Sequence, residues 1–167
     1  IAIIACYRND LLHTRLKQKR IYIYLMNKIL SNLDINFKIL IVEQNSNDKF
    51  NIAKLKNIGY DYLNKKEQFD NFIFTDIDMI PDENLIHYFT DITNGITSIA
   101  NKGTRYSNSR IGKSMPFYGG CISCTKSTFE KINGYSNLFT RGWGGEDENL
   151  VYRAYLENII TYIPKNG

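Results

Sequence analysis

An α/β fold is expected from three features of this 167-residue chain: short apolar runs alternate with longer stretches of helical periodicity, turn residues separate them, and the length suffices for one globular core. Ile1 to Cys6 is a strand-like run, and Leu11 to Leu33 then places apolar residues at helical spacing. Phe37 to Val42 is the next buried-strand candidate. Phe50 to Leu63 repeats Ile52, Leu55, Ile58 and Leu63 as a helix, and Asn71 to Thr75 returns to a strand. Strands alternating with helices imply a mostly parallel sheet with right-handed crossovers.

The second half is less regular. A helix is expected from about Glu83 to Ile92, a strand from Ile96 to Ala100 and a polar loop from Asn101 to Met115. Phe117 to Cys124 reads as a strand, and Ser127 to Asn133 as a short helix stopped by Gly134. The glycine-rich Gly142 to Gly145 precedes a last helix, Glu146 to Asn158, and Ile159 to Ile163 closes as a strand.

Composition excludes several classes. A net charge of +4 comes from scattered Lys and Arg rather than a basic block, so no nucleic-acid footprint is indicated. No apolar run approaches the roughly 18 residues that span a bilayer, and no signal peptide is apparent. The opening on Ile1 rather than Met and the stop at Gly167 suggest a piece of a longer chain, cut at its C-terminus. Three cysteines, Cys6, Cys121 and Cys124, make no disulfide framework. Cys121 and Cys124 have zinc or redox spacing, yet no second pair exists, and residues three apart on a strand face opposite sides.

Two acidic segments carry the chemistry. Asp76 and Asp78 follow the apolar run of the third strand, where i and i+2 in extended geometry share a face and open α/β sheets bind ligands. Two hard oxygen donors there suit Mn²⁺ or Mg²⁺ bridging to a diphosphate, while a turn with Pro81 and Asp82 capping the next helix is the plainer reading. Further on, Arg141-Gly-Trp143-Gly-Gly145 leads into Glu146, Asp147 and Glu148 at a helix start. Acids in a first turn complement the helix dipole. Asp147, however, precedes Leu150, Val151 and Ala154 on one stripe and should face inward, ionised, as a candidate general base beside an aromatic wall for a sugar.

Taken in order, Phe74-Thr-Asp76-Ile-Asp78-Met-Ile-Pro81, Phe117-Tyr-Gly-Gly120, Phe129-Glu-Lys-Ile-Asn-Gly-Tyr135 and Gly142-Trp-Gly-Gly-Glu-Asp147 resemble the catalytic domain of animal β-1,4-galactosyltransferases. Tyr7-Arg-Asn9, Phe50-Asn51, Ala53-Lys-Leu55 and Asn57-Ile-Gly59 resemble that family's N-terminal part, so the likeness covers nearly the whole chain. The resemblance implies residues 1–167 as one glycosyltransferase catalytic domain of GT-A fold, with a UDP-sugar donor, a carbohydrate acceptor, Mn²⁺ and inversion at the anomeric carbon. It assigns the metal to Asp78 and Asp76, the donor side to Arg8, Phe50, Asp76, Lys102, Phe117 and Gly120, and the acceptor side to Trp143, Gly145, Glu146, Asp147 and Glu148. Asp147 matches the base, and further metal ligands in a Met-x-x-His segment would fall after Gly167.

Departures bear on specificity. Asp10 and Ile52 stand where the family usually has arginines, Phe117 where many members have tyrosine, and Glu148 where an aspartate helps hold the acceptor. Galactose and N-acetylgalactosamine therefore both stay open as donors. The alternatives are an N-acetylgalactosaminyltransferase of the chondroitin-polymerising type and a non-catalytic sugar-binding domain of the same fold. An Asn-, Ile- and Lys-rich composition suits an AT-rich genome and a soluble cytoplasmic domain in a bacterium or virus; an animal-type member would work in the Golgi lumen.

Overall fold

The computed structural model describes residues 1–91, 95–100, 118–139 and 144–164. Its strands are β1 (Ala2–Tyr7), β2 (Lys38–Glu43), β3 (Asn71–Asp76), β4 (Gly95–Ser98), β5 (Cys121–Thr125) and β6 (Ile160–Tyr162). Its helices are α1 (Thr14–Leu30), α2 (Ile52–Asn64), α3 (His87–Thr90), α4 (Lys126–Lys131) and α5 (Glu146–Leu156). The strands form one sheet in the order β2-β1-β3-β5-β4-β6. β1 pairs in parallel with β2 and β3, and β4 with β6, while β5 runs antiparallel to both β3 and β4.

Every residue of β1 is buried, as expected for a central strand covered on both faces. Ile3, Ala5 and Tyr7 pack with Tyr22, Met26 and Leu30 of α1, whereas Ala2 and Ile4 pack with Ala53 and Leu63 of α2. The two crossover helices therefore lie on opposite faces. This follows from the order: the chain leaves β1 toward β2 on one side and returns past β1 to β3 on the other, and right-handed crossovers in opposite directions land on opposite faces. A crevice opens at the carboxyl ends of β1 and β3, where the two connections diverge.

Helix α2 approaches the sheet closely. A Cβ on Gly59 would stand 2.6 Å from Ile4 Cγ2 and 2.9 Å from Val42 Cγ2, so glycine sets that distance. The apolar stripe of α2 differs from the sequence expectation: Ile58 is 46% exposed, and Lys56 is buried in its stead at 2%. Ile52, Lys56, Gly59 and Leu63 follow the helical period of three and four, and Ile58 falls outside it.

The segment expected as one helix from Glu83 is instead a 3-10 turn, Glu83–Leu85, capped by Asp82, whose carboxylate accepts from the Asn84 N–H at 2.9 Å, followed by the four-residue α3. The expected polar loop and the first residue of the expected strand at Phe117 lie outside the described residues. Helix α4 is capped by the Thr125 hydroxyl and closed by the Gly134 N–H on the Phe129 carbonyl at 2.9 Å. Gly134 adopts a φ of 58° there.

Cys121 and Cys124 sit on opposite faces of β5, in different parts of the core, and all three cysteines are buried and free. Burial pushes each thiol up to about 12. At pH 8 the thiolate fraction is then on the order of one in ten thousand, and only the thiolate reacts. Iodoacetamide should leave the native protein unlabelled at pH 8 and add three groups after denaturation, as counted by intact mass. Rapid native labelling of Cys121 or Cys124 would contradict the buried placement.

Candidate active site

The crevice predicted by the topology is a cleft of about 300 Å³ lined by Cys6, Arg8, Asp10, Arg15, Phe50, Ile52, Asp76 and Asp78, among others. β1 delivers Arg8 from one strand end and β3 delivers Asp76 from the neighbouring one. Phe50, just ahead of α2, lies under the Arg8 guanidinium at 5.4 Å from ring centroid to Cζ, and Arg8 also donates to the Asp48 carbonyl. A planar cation beside an aromatic ring offers one face to a nucleobase and charge to a phosphate. Asp10 faces its own helix: its carboxylate accepts from the Arg15 N–H at 2.9 Å, which holds the group below the usual carboxylate range.

Asp76 and Asp78 both reach this cleft, but not by the extended geometry expected from their spacing. β3 ends at Asp76, and the Met79 N–H closes a turn on the Asp76 carbonyl at 3.1 Å, so Asp78 is a turn residue. The Asp76 N–H donates to Gly120 O at 2.9 Å, which places Gly120 beside it. Gly120 has a φ of 82°, and a Cβ there would meet Met79 Cε at 2.9 Å. The Asp76 carboxyl is pushed up to about 7, first by burial and then by Asp147, Asp78 and Glu146, with Lys56 opposing. Asp78 pairs with Arg15 at 3.1 Å in a partly exposed contact.

Helix α5 brings the second acidic group to the same end of the sheet. Its N-terminus is Gly145, at a φ of 87°, with a Cβ position 3.0 Å from the Phe139 ring. Asp147, Leu150, Val151 and Ala154 are buried along one stripe. Asp147 Oδ1 accepts from Lys56 Nζ at 2.9 Å, with the lysine side chain 2% and the aspartate side chain 10% exposed. Burial works against the Lys56 charge, yet the neighbouring groups, Asp147 first, hold it well above its ordinary value. Glu146 Oε2 accepts from the Gly144 N–H at 2.9 Å, and burial, then Asp147, pushes its carboxyl up.

The remaining expected residues divide. Glu148 is exposed and lines a different groove, of about 590 Å³, with Tyr118, Tyr152 and Tyr155. Lys102, Phe117 and Trp143 lie outside the described residues. Sequence reading missed Arg15 and Lys56. Nothing local marks Arg15, whereas Lys56 sits four residues after Ile52 and three before Gly59, on the buried stripe, and that was a usable signal. Asp76 and Asp78 are suited to a hard divalent cation that draws its other ligands from a diphosphate. Among the described residues no cluster of three or more His, Cys, Asp or Glu side chains could complete such a site.

Comparison with known proteins agrees with this frame. The fold aligns with the catalytic domain of Drosophila β1,4-galactosyltransferase 7 in complex with xylobiose at 23% identity and a TM-score of 0.80, over 99% of this chain and 65% of that one. It also aligns with a mutant of the same enzyme in complex with manganese, UDP-Gal and xylobiose, at 21% identity and a TM-score of 0.77, over 100% and 66%. The fold is therefore that of the GT-A nucleotide-sugar transferases. Residues 1–91 match the N-terminal region of glycosyl transferase group 7, and residues 104–166 match the N-terminal domain of galactosyltransferase. Mouse β-1,4-galactosyltransferase 4 is 32% identical over 99% of this chain and 45% of its own length; bovine β-1,4-galactosyltransferase 1 is 30% identical over 98% and 38%. The chain belongs to the β-1,4-galactosyltransferase family, and it spans less than half the length of these curated relatives. No helix among the described residues is long and apolar enough to cross a membrane.

The raised Glu146 carboxyl has a stability consequence with a definite sign. A native pKa above the ordinary value near 4.5 means that the folded state binds the proton more tightly, so stability falls as pH rises from about that value through the native pKa. Glu146→Gln removes this titration. Its melting temperature relative to the parent should therefore improve between pH 4 and pH 7, read by calorimetry at both values. A difference that stays constant or moves the other way would contradict the buried, acid-crowded placement.

Proposed function

We propose that this chain is the catalytic core of an inverting, metal-dependent glycosyltransferase that moves galactose from UDP-galactose to a sugar hydroxyl. The observation that carries the reading is one cleft, at the switch point of a GT-A sheet, that holds Arg8 and Phe50 on one side and Asp76 and Asp78 on the other. A UDP-sugar needs these two halves: an aromatic and cationic wall for the nucleotide, and a carboxylate pair for a cation at its diphosphate. The complex of the Drosophila β1,4-galactosyltransferase 7 mutant with manganese, UDP-Gal and xylobiose supports the same donor and a sugar acceptor.

Asp76 and Asp78 would hold the divalent cation, which when bound neutralises charge on the departing diphosphate. The partly exposed Arg15–Asp78 pair is of the kind worth about 1 kcal/mol or less, so this contact is a small obstacle to cation binding. Arg15 then stands at the cleft as a donor to phosphate oxygens. Asp147 takes the proton from the acceptor hydroxyl. The acceptor oxygen forms its bond to the anomeric carbon from the face opposite UDP, and the bond from that carbon to the UDP oxygen breaks, which inverts the centre. The charges of Asp147 and Glu146 already act on Asp76, consistent with α5 standing beside the donor cleft.

Two variants test the roles separately. Asp78→Ala should abolish the manganese dependence of UDP-galactose binding measured by calorimetry, and Asp76→Ala should weaken it less. Unchanged manganese dependence in Asp78→Ala would remove the metal assignment.

Asp147→Asn keeps the shape and still accepts from Lys56, but it cannot take a proton. Single-turnover transfer at saturating donor should slow by roughly two to four orders of magnitude while donor affinity survives. Leaving Lys56 opposite a neutral group should also lower the melting temperature, since breaking a buried pair commonly costs about 3–5 kcal/mol, so rates are compared well below the variant's midpoint. A near-parent rate would sink the base assignment.

A further inference from the structure

We infer that Lys56 is a positioning residue for the transfer step: its ammonium group fixes one oxygen of Asp147 so that the other meets the acceptor hydroxyl. The inference rests on the reading of Asp147 as the base and deepens it.

Geometry supplies the argument. Lys56 Nζ takes Asp147 Oδ1 at 2.9 Å, and among the described residues Asp147 Oδ2 accepts no hydrogen bond. A carboxylate free to rotate about its side-chain torsions presents its two oxygens at random, whereas one tethered at Oδ1 presents Oδ2 in one direction. The tether is itself rigid. Lys56 projects from the middle of α2, is 2% exposed, and stands 4.5 Å above the Tyr135 ring, which packs edge-on against Phe74 of β3 at 5.4 Å.

The backbone on both sides of the pair is pinned as well. Asn57, next to Lys56, donates to the Tyr135 carbonyl at 2.8 Å and accepts the Tyr135 N–H at 2.9 Å. Arg153 of α5 donates to the carbonyls of Gly134 and Ile132. α2 and α5 are thus fastened to one short segment, Ile132 to Tyr135, and the Lys56–Asp147 pair closes the triangle. Charge alone does not require this arrangement, because a carboxylate at a helix N-terminus is already favoured by the helix dipole. What the lysine adds is direction.

The arrangement also connects donor and acceptor chemistry. Phe50 and Ile52, at the start of α2, line the donor cleft, and Lys56 is one helical turn beyond Ile52. A shift of α2 on donor binding would carry Lys56 and reset the base it holds.

The test uses the full chain with UDP-galactose, manganese and xylobiose as acceptor. Lys56→Met, which keeps length and removes the cation, should lower kcat by roughly ten- to a hundredfold while KM for the donor stays within about twofold. A merely structural lysine would, in a folded variant, leave kcat intact or change kcat and KM together, and either result overturns the inference. Because Lys56→Met leaves a carboxylate buried and unpaired, a second comparison guards against loss of folding: Asp147→Asn against Asp147→Asn with Lys56→Met, both without a charge on residue 147, with rates taken well below the midpoint of Asp147→Asn, in which the Lys56 charge is unpaired. There the added Lys56 change should leave the residual single-turnover rate unaltered, since the positioned group is already disabled. A further loss of tenfold or more would overturn the inference. The two readings fail differently: a near-parent rate in Asp147→Asn removes the base itself, whereas a slow Asp147→Asn with a fully active Lys56→Met removes only the positioning role.

Discussion

The buried pair between Lys56 and Asp147 is the constraint on which the acidic end of this molecule depends. Asp76, Asp78, Glu146 and Asp147 gather near the ends of β3 and α5, and the charge of Lys56 acts on at least Asp76, Glu146 and Asp147. Without that cation, the charges of Asp147 and Glu146 would act unopposed on Asp76, whose own carboxyl is already pushed up to about 7. Apolar pairs of similar volume often serve folding as well as buried ion pairs do, so stability alone is a weak reason for a lysine at this depth. The proposed transfer step, which would need an aimed carboxylate, is a stronger one.

The sheet supplies the place for that site. Since β1 sits between β2 and β3, its two connections leave in opposite directions, and helices cover both faces while the carboxyl ends stay open. The antiparallel β5 then lies against β3 and brings Gly120 to Asp76 through a backbone hydrogen bond. A parallel neighbour would have entered from the other end. The reversal at β5 therefore helps fix the end of β3 that carries Asp76, and glycine at 120 allows both the positive φ of the turn and the close approach of Met79, which a Cβ would meet at 2.9 Å.

Much of this was legible in the sequence, and the exceptions have physical causes. The apolar runs of β1, β2 and β3 and the helical stripes of α1 and α5 announced the α/β fold, because both signals depend only on local periodicity. The inward turn of Asp147 was legible for the same reason, from Leu150, Val151 and Ala154. Asp76 and Asp78 were found, but their shared face was inferred from a strand that in fact stops at Asp76; the cleft unites them through a turn that spacing does not reveal. Lys56 was passed over because a lysine in a helix is usually solvated, and only its partner, 91 residues away, explains its burial. Arg15 belongs to the same class, with a partner 63 residues away. The antiparallel placement of β5 left no local trace either, since strand direction is decided by connections between elements.

The segment from Ile132 to Tyr135 shows how an irregular stretch can hold a site as firmly as a strand. Its carbonyls have no ladder partners, and buried carbonyls need donors. Asn57 from α2 and Arg153 from α5 supply them, so the same hydrogen bonds that satisfy the segment also fix the distance between the two helices. Gly134 is required where these meet, for it holds a φ of 58°, and a Cβ there would stand 2.8 Å from Asn57 Oδ1. The Tyr135 ring, edge-on to Phe74 at 5.4 Å, anchors the segment to β3, which carries Asp76 at its end. Apolar packing thus sets where the segment lies, and side-chain to backbone hydrogen bonds set how Lys56 and Asp147 face each other across it. Precision at the carboxylate follows from the second, since dispersion contacts are non-directional and a charged hydrogen bond of 2.9 Å is not.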